Sequence, residues 1–206
     1  MTNKLLDPLT ELPLFPLKTV LLPGNTLSLK IFEPRYIDMI ATCMRTETSF
    51  GVILIYKGEE TQSDNEIHSV GTAARVFDWQ PRNDGLLGIT ALGMQRFEVT
   101  DTSTQSDGLT IAKVSLLEEE IDREIPEQYT YMEELLDHIS AQEAKVRDPD
   151  ESFATILYQL IFLLPLDANL KQRLLEIPKS MDRAVILHAE LIRLGIIQYL
   201  KPTTTE

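Results

Sequence analysis

Apolar residues recur at every second position over the first half of this chain and at every third or fourth over the second, and the change falls near Glu118. A strand alternates its side chains between two faces, whereas a helix returns to one face every 3.6 residues. A chain that switches period once, rather than alternating, builds a β part and then a helical part. That is an α+β architecture, expected to divide at 1–118 and 119–206 within one functional domain.

Within the first part, Glu11–Pro16 alternates leucines with Pro13, and proline cannot donate to a ladder, so an edge strand is expected there. Thr19–Leu22 reads as a further short strand, stopped by the turn pair Pro23-Gly24. Thr26–Phe32 sets Leu27, Leu29 and Ile31 against Thr26, Ser28 and Lys30, the pattern of a half-buried strand. Pro34 suits a first helical turn, and Tyr36, Ile37, Ile40 and Met44 predict a helix over about 34–45. The run Phe50–Tyr56 is a fully buried strand, and the polar stretch 57–65 is a loop. Val70–Trp79 and Leu86–Leu92 flank Asn83-Asp84-Gly85, a hairpin signal. Gly93 marks a bend before Met94–Thr100, and Thr110–Leu116 follows a turn at 103–108. About seven short strands with one inserted helix argue a closed or sandwich-like β domain.

In the second part, Ile125, Tyr129, Met132, Leu136 and Ile139 form one helical face. Asp148-Pro149-Asp150 ends that helix, with Asp150 expected to cap the next, which carries Phe153 through Leu164. Asp167 caps a short third helix closed by Pro178, and Ser180 caps the last. Connections of a few residues favour a compact bundle.

The formal charge of −13 is concentrated. Residues 118–151 hold 3 Lys/Arg against 13 Asp/Glu (net −10), while 1–117 hold 10 against 14 (−4) and 152–206 hold 6 against 5 (+1). Phosphate backbones are bound through basic surface, so this distribution disfavours nucleic acid. No apolar run approaches the roughly 20 residues of a membrane helix, and prolines at 13, 16 and 23 interrupt any leader-like start. A single cysteine excludes an internal disulfide, so the cytoplasm is the expected compartment.

The sequence carries no recognisable catalytic constellation. No phosphate-cradling loop, dinucleotide fingerprint or serine elbow is present. His68, His138 and His188 are isolated, lack metal-ligand spacing and are expected to pack or face solvent. Cys43 sits in an apolar-periodic helix as a small hydrophobe. Glu118, Glu119, Glu120 and Asp122 lack the turn glycines of a calcium loop and read as a solvated linker. Neither a cofactor nor a metal is expected, and the chain is read as non-enzymatic.

The run Leu12-Pro13-Leu14-Phe15-Pro16-Leu17, the Pro23-Gly24 turn and Leu27-Ser28-Leu29-Lys30-Ile31-Phe32-Glu33-Pro34-Arg35-Tyr36 resemble the opening of the Lon protease amino-terminal (substrate-binding) domain family. Gly71-Thr72-Ala73-Ala74-Arg75 is similar to a second motif of that family, Gly93-Met94-Gln95-Arg96-Phe97 to a third, and Leu163–Glu176 to a helical one, all in order over about 11–195. The resemblance implies a PUA-like β-barrel with an inserted helix, followed by a C-terminal helical bundle. It also implies recognition of unfolded or client polypeptides, or of a separate protease or chaperone, in a stand-alone form lacking ATPase and protease parts and hence independent of ATP.

Phe32, Glu33, Arg35 and Tyr36 are the candidate peptide- or partner-binding residues. Glu33, at a helix N-terminus where dipole and N–H groups favour a carboxylate, is expected to pair with Arg35 or Arg96. Gly24, Gly71 and Gly93 are expected to serve turns or bends, and Arg96 and Phe97 to be structural. Binding would use an apolar groove or strand addition to a sheet edge. A homodimer is compatible with this reading. The alternatives are an RNA-binding PUA-like module, for which Arg75, Arg82, Arg96 and Lys113 are available without forming a basic cluster, and a small-molecule-binding regulatory domain.

Overall fold

A computed structural model describes residues 9–61, 65–81, 86–118, 124–142 and 151–197. The chain divides into two compact units, Met1–Glu118 and Glu119–Glu206. Among the described residues there are six strands in one mixed sheet and five α-helices, an α+β fold.

The first unit contains β1 (Leu9–Leu17), β2 (Thr26–Ile31), α1 (Pro34–Thr46), β3 (Phe50–Lys57), β4 (Glu66–Pro81), β5 (Leu87–Thr104) and β6 (Thr110–Leu116). The sheet order is β2-β5-β4-β3-β1-β6, and β5 also pairs with β6, so the pairing path from β5 through β4, β3, β1 and β6 returns to β5. Strand β2 stands outside this circuit and, among the described residues, pairs only with β5. Two buried clusters follow from the alternation. One lies between α1 and the sheet and includes Phe15, Tyr36, Ile40, Phe50 and Ile89. The other holds Leu12, Leu14, Ile53, Phe97 and Val114.

Several expectations change. β1 is no edge strand: it lies between β3 and β6. Its prolines are tolerated because the halves pair on different sides, Leu9–Pro13 antiparallel to β6 and Leu14–Leu17 parallel to β3. Residues 19–22 form no strand, although Val20, Leu21 and Leu22 are buried. Their backbone is used otherwise, since Leu21 O accepts from Thr72 Oγ1 at 2.6 Å and Leu22 O from Asn25 N at 3.1 Å. The stretches 86–92 and 94–100 are one strand, β5, running through Gly93 with a register shift beside it. The hairpin signal Asn83-Asp84-Gly85 lies outside the described residues.

The glycines divide by cause. Gly24 has φ +74 in a turn closed by Asn25 N→Leu22 O, which Pro23 and glycine suit. Gly71 and Gly93 are mid-strand and are required by close approach instead of a turn. A Cβ on Gly93 would lie 2.4 Å from Leu22 O, and one on Gly71 would lie 2.6 Å from both Phe97 Cζ and Val52 O. Gly93 also bonds both sides of the turn, accepting from Gly24 N and donating to Asn25 O.

The second unit contains a 3-10 turn (Glu127–Tyr129), α2 (Thr130–Gln142), α3 (Phe153–Leu163), α4 (Ala168–Glu176) and α5 (Ser180–Arg193). α3 is apolar nearly all round, and such a helix must be covered on several sides. It packs against α2, α4 and α5. Asp167 caps α4 as expected, its Oδ1 accepting from Leu170 N at 2.9 Å. The cap of α3 is Ser152, whose Oγ accepts from Thr155 N, and not Asp150, which lies outside the described residues with Asp148 and Pro149. Ser180 is the first residue of α5 and not its cap; that position belongs to Lys179. Glu119, Glu120 and Asp122 also lie outside the described residues, as does the 203–205 tail.

Candidate binding groove

The end of β2 and the start of α1 bring Phe32, Glu33, Arg35 and Tyr36 into one corner of the first unit. Proline at the first helical position fixes the turn from strand to helix, and Glu33 is the N-cap residue with an extended backbone. Its side chain makes no capping bond. It goes instead to Arg35, with Glu33 Oε2 2.8 Å from one terminal guanidinium nitrogen and 3.0 Å from Nε. Arg35 also donates to Gly108 O at 2.8 Å, so the pair staples the helix start to the turn between β5 and β6. Of the two partners anticipated for Glu33, the structure selects Arg35. Arg96 is fully buried and donates to Glu118 O at 3.2 Å, helping to fasten the chain beyond β6.

Arg35 and Tyr36 are both buried, and they build the corner. The Tyr36 ring stacks on Phe15 with centroids 4.2 Å apart, and the Arg35 guanidinium carbon lies 4.7 Å from its centroid. Burial pushes the Tyr36 phenol up to about 12; Arg35 works against the shift and Glu33 and Glu60 add to it. Phe32 differs from its neighbours, since it is 58% exposed at the rim.

Two cavities meet here, sharing Glu33 and Thr61. One, of about 330 Å³, runs beside β2 with Phe15, Leu17, Leu29 and Tyr36 as its apolar lining and Phe32 at its lip. The other, of about 380 Å³, opens between Glu33, Arg35, Asp38, Thr61, Asp107 and Gly108. Glu60 lines the same cavity as β2, and its Oε1 accepts from Lys18 N at 2.7 Å and ties the 58–61 loop to the end of β1. Glu60, Thr61, Asp38 and Asp107 went unnoticed in the sequence because nothing in local periodicity brings the 57–65 loop or the β5–β6 turn to α1.

The remaining candidates are structural in their surroundings. Phe97 is fully buried, with its ring against Gly51 and Gly71. Cys43 is buried, and burial raises its thiol above the usual range, which keeps it protonated. His138 is exposed, and His188 Nδ1 lies 2.6 Å from the Tyr131 hydroxyl. Among the described residues no group of three His, Cys, Asp or Glu side chains could hold a metal ion, and no helix is long and apolar enough to cross a membrane. Tyr56, Phe77 and Trp79 are exposed, the last two flanking Asp78 on β4.

Comparison with known proteins gives a consistent picture. The family model described as the ATP-dependent protease La (LON) substrate-binding domain matches residues 11–193. The crystal structure of a Lon N-terminal domain protein from Xanthomonas campestris is similar at 33% identity and a TM-score of 0.75, covering 87% of this chain and 98% of that one. Protein cereblon of Danio rerio is 33% identical over 56% of this chain and 27% of its own length. Lon protease of Flavobacterium johnsoniae is 27% identical over 85% of this chain and 23% of its own. The chain thus spans about a quarter of the length of these curated relatives.

Proposed function

The chain belongs to the family of Lon substrate-binding domains, and from that premise we propose that it is a non-catalytic module that recognises polypeptide segments of client proteins or of a protein partner, a separate protease or chaperone among them. The family match falls on the substrate-binding domain and not on a protease domain. The observation that carries the reading is the groove at Phe32–Tyr36. Its apolar lining, exposed Phe32 lip and acidic mouth can hold the side chains of a bound segment. The closed pairing circuit supports reading the first unit as a PUA-like barrel with α1 inserted and β2 added outside. In the same reading the module works without ATP, in the cytoplasm, as a monomer or homodimer, and the structural roles of Gly24, Gly71, Gly93, Arg96 and Phe97 serve to hold the groove.

The test is direct binding of the purified chain to reduced, carboxymethylated α-lactalbumin, a permanently unfolded polypeptide, by fluorescence anisotropy. Saturable binding that falls about tenfold or more in Phe32→Ala, as loss of a buried aromatic anchor would give, supports the proposal. Absence of binding refutes it. Preferential, salt-sensitive binding of mixed RNA would favour the nucleic-acid reading instead.

A further inference from the structure

The groove has a property that its lining alone does not convey: one of its sides is an unpaired strand edge. Strand β2 is bonded to β5 along its whole length, Thr26↔Leu92 to Ile31↔Leu87, and among the described residues no strand pairs with its other side. The 330 Å³ cavity is lined by four consecutive residues of β2, Ser28, Leu29, Lys30 and Ile31, and by Glu60 and Thr61 of the tethered loop, with no residue of the paired strand β5 among its lining. In an antiparallel pair, alternate residues turn N–H and C=O away from the partner, so β2 presents a row of backbone donors and acceptors to this space.

We infer that the groove takes an extended, alternating apolar peptide segment bearing a Lys or Arg at its end, which adds to the sheet as a strand along the free edge of β2. The inference deepens the polypeptide-recognition reading and rests on it. Three features choose this occupant. A row of backbone groups is matched by another backbone in extended form. The apolar lining beside the edge receives every second side chain, as the pleat requires. The mouth beyond Glu33 carries Asp38 and Asp107, both exposed, while Arg35 is already committed to Glu33 and Gly108 O, so a cation on the incoming segment meets net negative charge.

The decisive experiment uses the full chain and the fluorescently labelled peptide acetyl-Lys-Val-Thr-Val-Thr-Val-Lys-amide. Two derivatives carry N-methyl groups on the Val amides or on the Thr amides. Strand addition aims only one of these frames at β2. One derivative should therefore bind about tenfold or more weaker than the parent while the other binds nearly as well. Hydrogen exchange at residues 26–31 should slow with the parent peptide. Replacing the peptide's lysines by glutamate should weaken binding about threefold at low salt, and Asp38→Lys should remove that preference.

Equal binding of both methylated frames, or equal loss by both, overturns strand addition. If the parent peptide fails to bind while unfolded α-lactalbumin binds, this inference falls and polypeptide recognition stands. If neither binds, the function proposed above fails as well.

Discussion

The ring of Phe97 lies between two glycines, and the contacts on each side make unequal demands. A Cβ on Gly51 would lie 2.7 Å from Leu14 Cδ2 and 2.8 Å from Phe97 Cζ, both side-chain atoms. A Cβ on Gly71 would meet Phe97 Cζ at 2.6 Å and also Val52 O at 2.6 Å, a backbone atom in the neighbouring strand. Overpacking of this kind costs about 1–3 kcal/mol, offset by about 0.5–1 kcal/mol because alanine is the better strand residue. Gly51→Ala should thus cost about 1–2 kcal/mol, and Gly71→Ala about 2–2.5 kcal/mol, the top of the range, since a paired strand cannot withdraw its carbonyl cheaply. Phe97→Leu removes the far end of the ring at a cost below the ~3–5 kcal/mol of Phe→Ala. In urea unfolding followed by the fluorescence of Trp79, the one tryptophan, Gly51→Ala and Phe97→Leu should couple by about 1–2 kcal/mol in the favourable direction. Gly71→Ala should recover only part of its loss. Additive costs for Gly51 and Phe97, or full rescue of Gly71→Ala, would refute the assignment of these glycines to close approach.

Arg183 is buried, donates to Leu174 O at 3.0 Å and Ile177 O at 2.7 Å, and lies 4.3 Å from the Tyr158 ring centroid. Arg183→Met should cost about 1–3 kcal/mol by thermal or urea unfolding, and Arg183→Lys should recover little because an ammonium lacks the planar fork. Asp167→Ala should cost about 0.5–2 kcal/mol through loss of the α4 cap, with Asp167→Asn nearly neutral. Tyr36 and Tyr131 both have phenols pushed up to about 12, mainly by burial, against 10.0 unperturbed. The folded state then keeps protons that the unfolded chain loses, so their contribution to stability is present below pH 10 and disappears as pH rises from 10 to about 12. Absorbance at alkaline pH should show the two titrating late, and Tyr36→Phe should reduce the alkaline loss.

The period switch made the α+β division legible because burial on one face imposes 2.0 or 3.6 directly on the sequence. The corner was legible for a similar reason: Glu33, Pro34 and Arg35 are consecutive, and a proline-started helix after an alternating run leaves little choice of geometry. Pairing partners were less visible. Pro13 and Pro16 suggested an edge, yet β1 escapes the penalty by changing neighbours at Leu14, which only the register reveals. Leu21 and Leu22 suggested a strand because they are apolar, but their carbonyls are taken by Thr72 and Asn25. Ser152 loses nothing to Asp150 in capping chemistry, and the position of the first helical turn decides between them.

An open strand edge is ordinarily a hazard, because it templates pairing with any passing strand. In β2 the hazard is bounded. The strand is six residues long, Lys30 stands exposed on its solvent face, and the 58–61 loop held by Glu60 lines the same cavity. A loop in that position obstructs the approach of a whole second sheet more than that of a single extended chain. The features that would suppress indiscriminate aggregation are therefore the ones that would select a lone, unfolded segment. Weakening the wall should separate the two effects: Glu59→Ala together with Glu60→Ala removes both ties of the loop to Lys18, the Glu60 Oε1 acceptor of Lys18 N and the Glu59 Oε2 partner of Lys18 Nζ, and opens the edge. The expected result is increased self-association on concentration, read by light scattering, together with weaker discrimination between extended peptides. A variant that stays monomeric and equally selective would show that the loop does not guard the edge.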